Sequence, residues 1–314
     1  MSSPRITAMT TRSALAVLAL ATALALAGCG SDDEPRASTK ESTAPSTSPS
    51  VTEAAATASP EPTATTVDRT PELDAIGVIG HSGATGADSA GDGSDVRNNS
   101  WATGANPTVQ SVYLRLLADH PELEGHNWNE AIDGSDVSSL MGQAEALMGR
   151  DPVPDIVFVQ SIDNDIKCDG TDEQNYDPFE AGVEEVLTYL QDTAPGIKVF
   201  FVDQWTSVKA YDDVVSAMEG GVQHLTDTGP CGVYGADGTR DPKAEAYLQQ
   251  QVDEYFKRIV HVCAQVSGCA TDEGALQDMK LDAADLTPDL NHLMPSGHAK
   301  MAAIVWEQLP PAWK

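Results

Sequence analysis

Ser82 stands where an apolar run breaks into small residues, in Ile76-Gly77-Val78-Ile79-Gly80-His81-Ser82-Gly83-Ala84-Thr85-Gly86. A short apolar run bounded by glycines reads as a buried strand entering a tight turn. A serine at such a strand end is held rigidly and has no bulky neighbours, which suits a nucleophile. It needs a base for its proton, an acid to hold that base, and hydrogen-bond donors where the oxyanion grows. Near the C-terminus, Asp289-Leu290-Asn291-His292 offers His292 as base and Asp289 as its acid. The backbone N–H groups of Ser82 and Gly134 and the side-chain amide of Asn164 are candidate oxyanion donors.

Strand ends must bring these groups together. The first strand is expected over 74–80, a short second strand over 127–132, and continuous apolar strands over 154–160 and 197–202. Helical spacing follows Asn106-Pro107, with Pro at the first helical position. It recurs with Val137, Leu140, Met141, Ala144, Leu147 and Met148 on one face, then over 178–191, near 207–218, over 243–266 and over 295–308. Strands alternating with helices predict an α/β fold with a parallel sheet. Right-handed crossovers put every strand's C-terminal end on one edge, where ligands of open α/β sheets bind. Ser82, Gly134, Asp163-Asn164-Asp165 and Trp205 all follow such ends.

Four separated blocks make the chain similar to the SGNH/GDSL hydrolases, the flavodoxin-like serine esterases. Gly80-His81-Ser82-Gly83 resembles the first block, and Asn129 to Gly134 the second. Asn164-Asp165 resembles the third, and Asp289-x-x-His292 followed by Gly297-His298 the fourth. The resemblance spans about residues 74–308. It implies a three-layer α/β/α domain with a central parallel sheet. It also implies ester hydrolysis through an acyl-enzyme on Ser82, with Asp289 and His292 completing the triad and no cofactor or metal. Two positions depart from the family. His81 stands where it has Asp, and Ile162 where it has Gly, so a side chain there is expected to narrow the pocket or shift Asn164. Acyl transfer on the same scaffold and a non-catalytic cell-surface binding protein are the rival readings. Lack of a long exposed apolar stretch favours short acyl esters.

The chain has 314 residues. Residues 1–28 carry Arg5 and Arg12, then an apolar run from Ala14 to Ala27, the pattern of an export signal. Leu26-Ala27-Gly28-Cys29 resembles the bacterial lipobox, which implies lipidation of Cys29 and anchoring to the outer face of the cell membrane. Residues 29–70, rich in Ser, Thr, Ala and Pro, bury too little apolar surface to offset ordering entropy and are expected to be a disordered tether. Residues 71–314 have the size of one α/β domain.

The remaining cysteines are Cys168, Cys231, Cys263 and Cys269, an even number for an exported chain. Cys263 and Cys269 flank a short turn and are expected to pair, leaving Cys168 with Cys231. Residues 203–242, with Cys231 inside, are expected to roof the pocket. A net charge of −30 argues against nucleic acid and against docking on anionic lipid through a basic patch. The expected partner is a small-molecule, glycan or lipid ester, bound by a monomer. Asp163-Asn164-Asp165 fails as an EF-hand, because Lys167 would fall on a ligand position. No Cys-x-x-Cys pair suggests zinc. His298 is expected to pack near the last helix.

Overall fold

A computed structural model describes residues 73–314. The signal-like residues 1–28, Cys29 and the tether 29–70 lie outside the described residues.

The sheet has five parallel strands in the order β2-β1-β3-β4-β5. These are β1 (Ile76–Gly80), β2 (Asn127–Asn129), β3 (Ile156–Gln160), β4 (Lys198–Val202) and β5 (Cys269–Thr271). Apart from Gln160 and Lys198 at strand ends, β1, β3 and β4 carry no polar side chain and are nearly all buried, as strands covered on both faces must be. Their side chains alternate between two cores. Ile76, Val78, Phe158, Phe200 and Val202 pack on one face with α2 (Val112–Leu117) and α8 (Pro295–Gln308). Ile79, Val157, Val159, Val199 and Phe201 pack on the other with α3 (Val137–Met148), α4 (Asp172–Thr193) and α7 (Pro242–Cys263). The result is a three-layer α/β/α fold with a central parallel sheet.

Several elements differ from the sequence reading. The helix expected at Asn106-Pro107 starts later, because Ser111 caps α2 by accepting the Leu114 N–H at 3.2 Å. Residues 106–109 instead form a turn, in which the Asn106 side chain accepts the Thr108 N–H. α4 begins six residues before Pro178 and carries that proline inside. Its first turn is fixed by Asp172, whose carboxylate accepts the N–H groups of Lys167 and Cys168 at 2.7 and 3.0 Å. Beyond the expected helix near 207–218, which is α5 (Val208–Ser216), lies a further helix, α6 (Gly221–Thr228). β5 is too short to show a pattern; its register comes from pairing with β4.

The chain runs from β1 to β2 on one side and then to β3 on the other. The crevice between β1 and β3 is thus the switch point, where the loops after these strands diverge and leave room for a ligand. Ser82 follows β1, and Asn164 follows β3. Disulfides join Cys168 to Cys231 and Cys263 to Cys269. Among the described residues, no helix is long and apolar enough to cross a membrane.

Candidate active site

The Ser82 turn is clamped from four sides. The Gly80 N–H donates to Gln143 Oε1 at 2.6 Å, and the Gly80 carbonyl accepts the Ser135 hydroxyl at 2.8 Å. The His81 N–H donates to the Gln160 carbonyl at 3.2 Å. Asn129 Nδ2 donates to the Ala84 carbonyl at 2.9 Å. Gly80 has φ 135°, and a Cβ there would run into the Gln160 carbonyl, so only glycine fits. Ser82 opens α1 (Ser82–Thr85), with His81 as its N-cap. The His81 Nδ1 accepts the Gly83 N–H at 3.1 Å. Imidazole thereby does what a carboxylate does at an N-cap, satisfying one of the free N–H groups of the first turn.

Accepting at Nδ1 leaves the neutral His81 ring with its proton on Nε2. That nitrogen is buried without a hydrogen-bond partner and lies 3.7 Å from Asp163 Oδ2. Burial pushes the Asp163 carboxyl upward, while His81 and His292 pull it back.

Asp289 and His292 form one compact loop. Asp289 Oδ2 lies 2.7 Å from His292 Nδ1. Its other oxygen accepts the backbone N–H groups of Asn291 and His292 at 2.8 and 3.1 Å, and also the Thr287 hydroxyl. Partial burial of Asp289 raises its pKa, but these bonds and the His292 charge outweigh it and hold the carboxyl down at about 2. Asp289 is therefore an anion across the working pH range. It fixes the tautomer with the proton on Nδ1 and leaves His292 Nε2 with a lone pair.

Ser82, His292 and Asp163 line one small cavity of about 20 Å³, together with His81, Trp205 and His298. Among the described residues, no hydrogen bond joins the Ser82 hydroxyl to His292, a looseness common before substrate binds. His298 is buried in α8, and burial, with the His292 charge, lowers its pKa to about 3, so it stays neutral. Asn164 Nδ2 donates one N–H to the Ser135 carbonyl at 2.9 Å, which leaves its second N–H for a ligand. Asn164, Ser82 and Asp289 line a larger cleft of about 640 Å³. Gly134, with φ 70°, lines neither space; it is exposed one residue before Ser135.

Ile162 keeps the backbone of a glycine, with φ 105°, although it carries a side chain. That side chain lies fully buried in the core with Ile79 and Val159 and does not line the cleft. Trp205 lines both spaces. Tyr211 on α5 donates its hydroxyl to the Leu290 carbonyl at 2.8 Å, between Asp289 and Asn291. Neither Thr287 nor Tyr211 carries a signal in the sequence, since each acts across a loop closed only in three dimensions. Among the described residues, no group of three or more His, Cys, Asp or Glu is arranged to hold a metal ion.

No family model matches the chain, and no curated protein matches it. Among solved structures, the chain is similar to an extracellular lipase from Streptomyces rimosus, at 12% identity and TM-score 0.45, covering 74% of this chain and 98% of that one. It is similar to a variant of an acetyl xylan esterase from Geobacillus stearothermophilus, at 17% identity and TM-score 0.42, covering 75% and 94%. It is also similar to a family 3 carbohydrate esterase from Clostridium thermocellum, at 15% identity and TM-score 0.42, covering 74% and 92%. Likenesses this distant carry no argument about the chemistry, which rests on the site's own geometry.

Proposed function

We propose that this protein is a serine hydrolase that cleaves carboxylic esters through an acyl-enzyme on Ser82. The observation that carries the reading is the Asp289–His292 pair, with Nδ1 held at 2.7 Å and both His292 and Ser82 lining one cavity. Ser82 Oγ attacks the ester carbonyl carbon while His292 Nε2 takes the hydroxyl proton. The carbonyl π electrons move onto oxygen. The resulting oxyanion is met by the Ser82 N–H and the free Asn164 N–H; Gly134, which lines neither space, is left out of this role. When the tetrahedral species collapses, His292 returns its proton to the departing alkoxide and the acyl group stays on Ser82. Water, deprotonated by His292, then attacks the acyl carbon and releases the acid and Ser82. The four sequence blocks shared with SGNH/GDSL hydrolases support the same roles.

Two disulfides in the domain support an exported protein. In this reading Cys29 carries the lipid that holds the domain at the outer face of the cell membrane. Labelled palmitate should be incorporated by the wild-type chain and not by Cys29→Ala.

A fluorophosphonate probe tests the hydrolase directly. The purified protein should be labelled on Ser82, and Ser82→Ala should lose both labelling and ester hydrolysis. Folded protein that resists the probe would rule the assignment out. Added alcohol acceptors test acyl transfer: an ester product forming faster than free acid would identify a transferase.

A further inference from the structure

The cleft of about 640 Å³ beside Ser82 is far larger than an acetyl group needs. A water molecule occupies about 30 Å³ of liquid, and a methylene is of similar size, so the cleft has room for on the order of twenty such groups. Its walls divide by origin. The strand edge supplies mostly polar groups, among them Ser82, Asp163, Asn164 and Gln204. The cleft's apolar lining is Ile166, Leu225, Val233, Tyr234, Leu248 and Val252, from α6, α7 and the segments next to the Cys168–Cys231 bridge. Leu225, Val233, Leu248 and Val252 are each at most 7% exposed, so this side of the cleft is backed by firmly packed apolar side chains.

We propose that this roofed cleft is an acyl-chain pocket, and that the preferred substrates are esters of medium-chain carboxylic acids of about eight to twelve carbons. The inference rests on Ser82 being the nucleophile of an ester hydrolase. Placement of His292 decides which half of the ester enters. The leaving alcohol must lie against His292 Nε2 to receive its proton. His292 lines the small cavity and not the large cleft, so the large cleft is left to the acyl group. Burying each methylene of that chain raises kcat/KM by a factor of about four at most. The Cys168–Cys231 bridge keeps the roof over the chain by tying the loop after Asn164 to the segment carrying Pro230 and Val233.

Initial rates on a series of nitrophenyl esters from acetate to palmitate test the pocket in the wild-type protein. The expected result is a maximum in kcat/KM at medium chains, about tenfold or more above acetate. A monotonic fall from acetate would overturn the pocket. Ethyl decanoate against decyl acetate separates the two halves of the ester; a preference for decyl acetate would also overturn it. Leu225→Trp fills the pocket from α6 and should lower the decanoate-to-acetate ratio about tenfold, with far-UV circular dichroism showing that the variant is folded. An unchanged ratio in folded variant protein would place the chain elsewhere. Fluorophosphonate labelling of Ser82 is the control: labelled protein with an acetate optimum refutes only the pocket, and unlabelled protein refutes the hydrolase.

Discussion

The imidazole of His81 caps the helix that begins with the nucleophile, its Nδ1 accepting the Gly83 N–H at 3.1 Å. Aspartate at this position would make the same bond, which is why the exchange leaves the turn intact. His81→Asp should therefore retain stability within about 1 kcal/mol and keep fluorophosphonate labelling of Ser82. His81→Ala removes the cap and a buried ring, and should cost about 2 kcal/mol or more in urea unfolding. Equal stability of wild type and His81→Ala would show that the bond does not support the turn.

Asp289 works by holding His292 in one tautomer. Asp289→Asn places an amide against Nδ1, and the imidazole then adopts the other tautomer, with its lone pair turned away from Ser82. Activity should fall by about 10³-fold or more with little change in KM. Because Asp289 is held at about 2, the acid limb of the wild-type pH–rate profile should not report this carboxylate. A loss of less than tenfold in Asp289→Asn would remove Asp289 from the triad.

Tyr211 ties the roof to the catalytic loop through its 2.8 Å bond to the Leu290 carbonyl. Leu290 has φ 60°, so the loop adopts a backbone that most residues avoid and needs such support. Tyr211→Phe should lower kcat about two- to tenfold, in line with the loss of one hydrogen bond. As a positioning effect it should fall on kcat for acetate and decanoate esters alike. Tyr211 also lines the large cleft, so a loss confined to decanoate would show that it acts there and not through the catalytic loop.

Buried acids make stability depend on pH in an unusual direction. Burial pushes Asp203 up to about 7, and Asp165 and Asp212 up to about 6. Each is thus raised above its unfolded value, so between about pH 4 and 7 these three groups together bind more protons in the folded chain than in the unfolded one, and they outnumber His298, which acts in the opposite direction. Stability from these groups is complete below pH 4 and is lost as pH rises through 6 to 7. The Tm at pH 5 should exceed that at pH 8 by on the order of 5 °C. Asp203→Asn, which keeps an acceptor for the Gln204 N–H but loses the oxygen that accepts the Gln277 amide, should flatten this slope at some cost in stability. A Tm that rises from pH 5 to pH 8 would contradict it.

The sequence by itself determined the layered architecture. Short all-apolar runs such as Ile156 to Val159 are typical of strands buried on both faces, and amphipathic spacing marks the helices that cover them. It also marked Ser82, Asn164, Asp289 and His292 by their places at strand ends and before the last helix. Tertiary structure alone decided what depends on distance between remote segments. Ile162 reads as an obstacle in the pocket, yet its φ of 105° sends the side chain into the core. Pro178 reads as a helix start, yet the Asp172 carboxylate, bonded to Lys167 and Cys168, begins α4 a turn and a half earlier. The wall of the large cleft joins Ile166, Leu225, Val233 and Val252, single apolar residues from separate segments. No continuous apolar run announces such a surface, because local periodicity records only which face of an element is buried. Which faces meet, and around what space, is settled by packing and by the Cys168–Cys231 bridge.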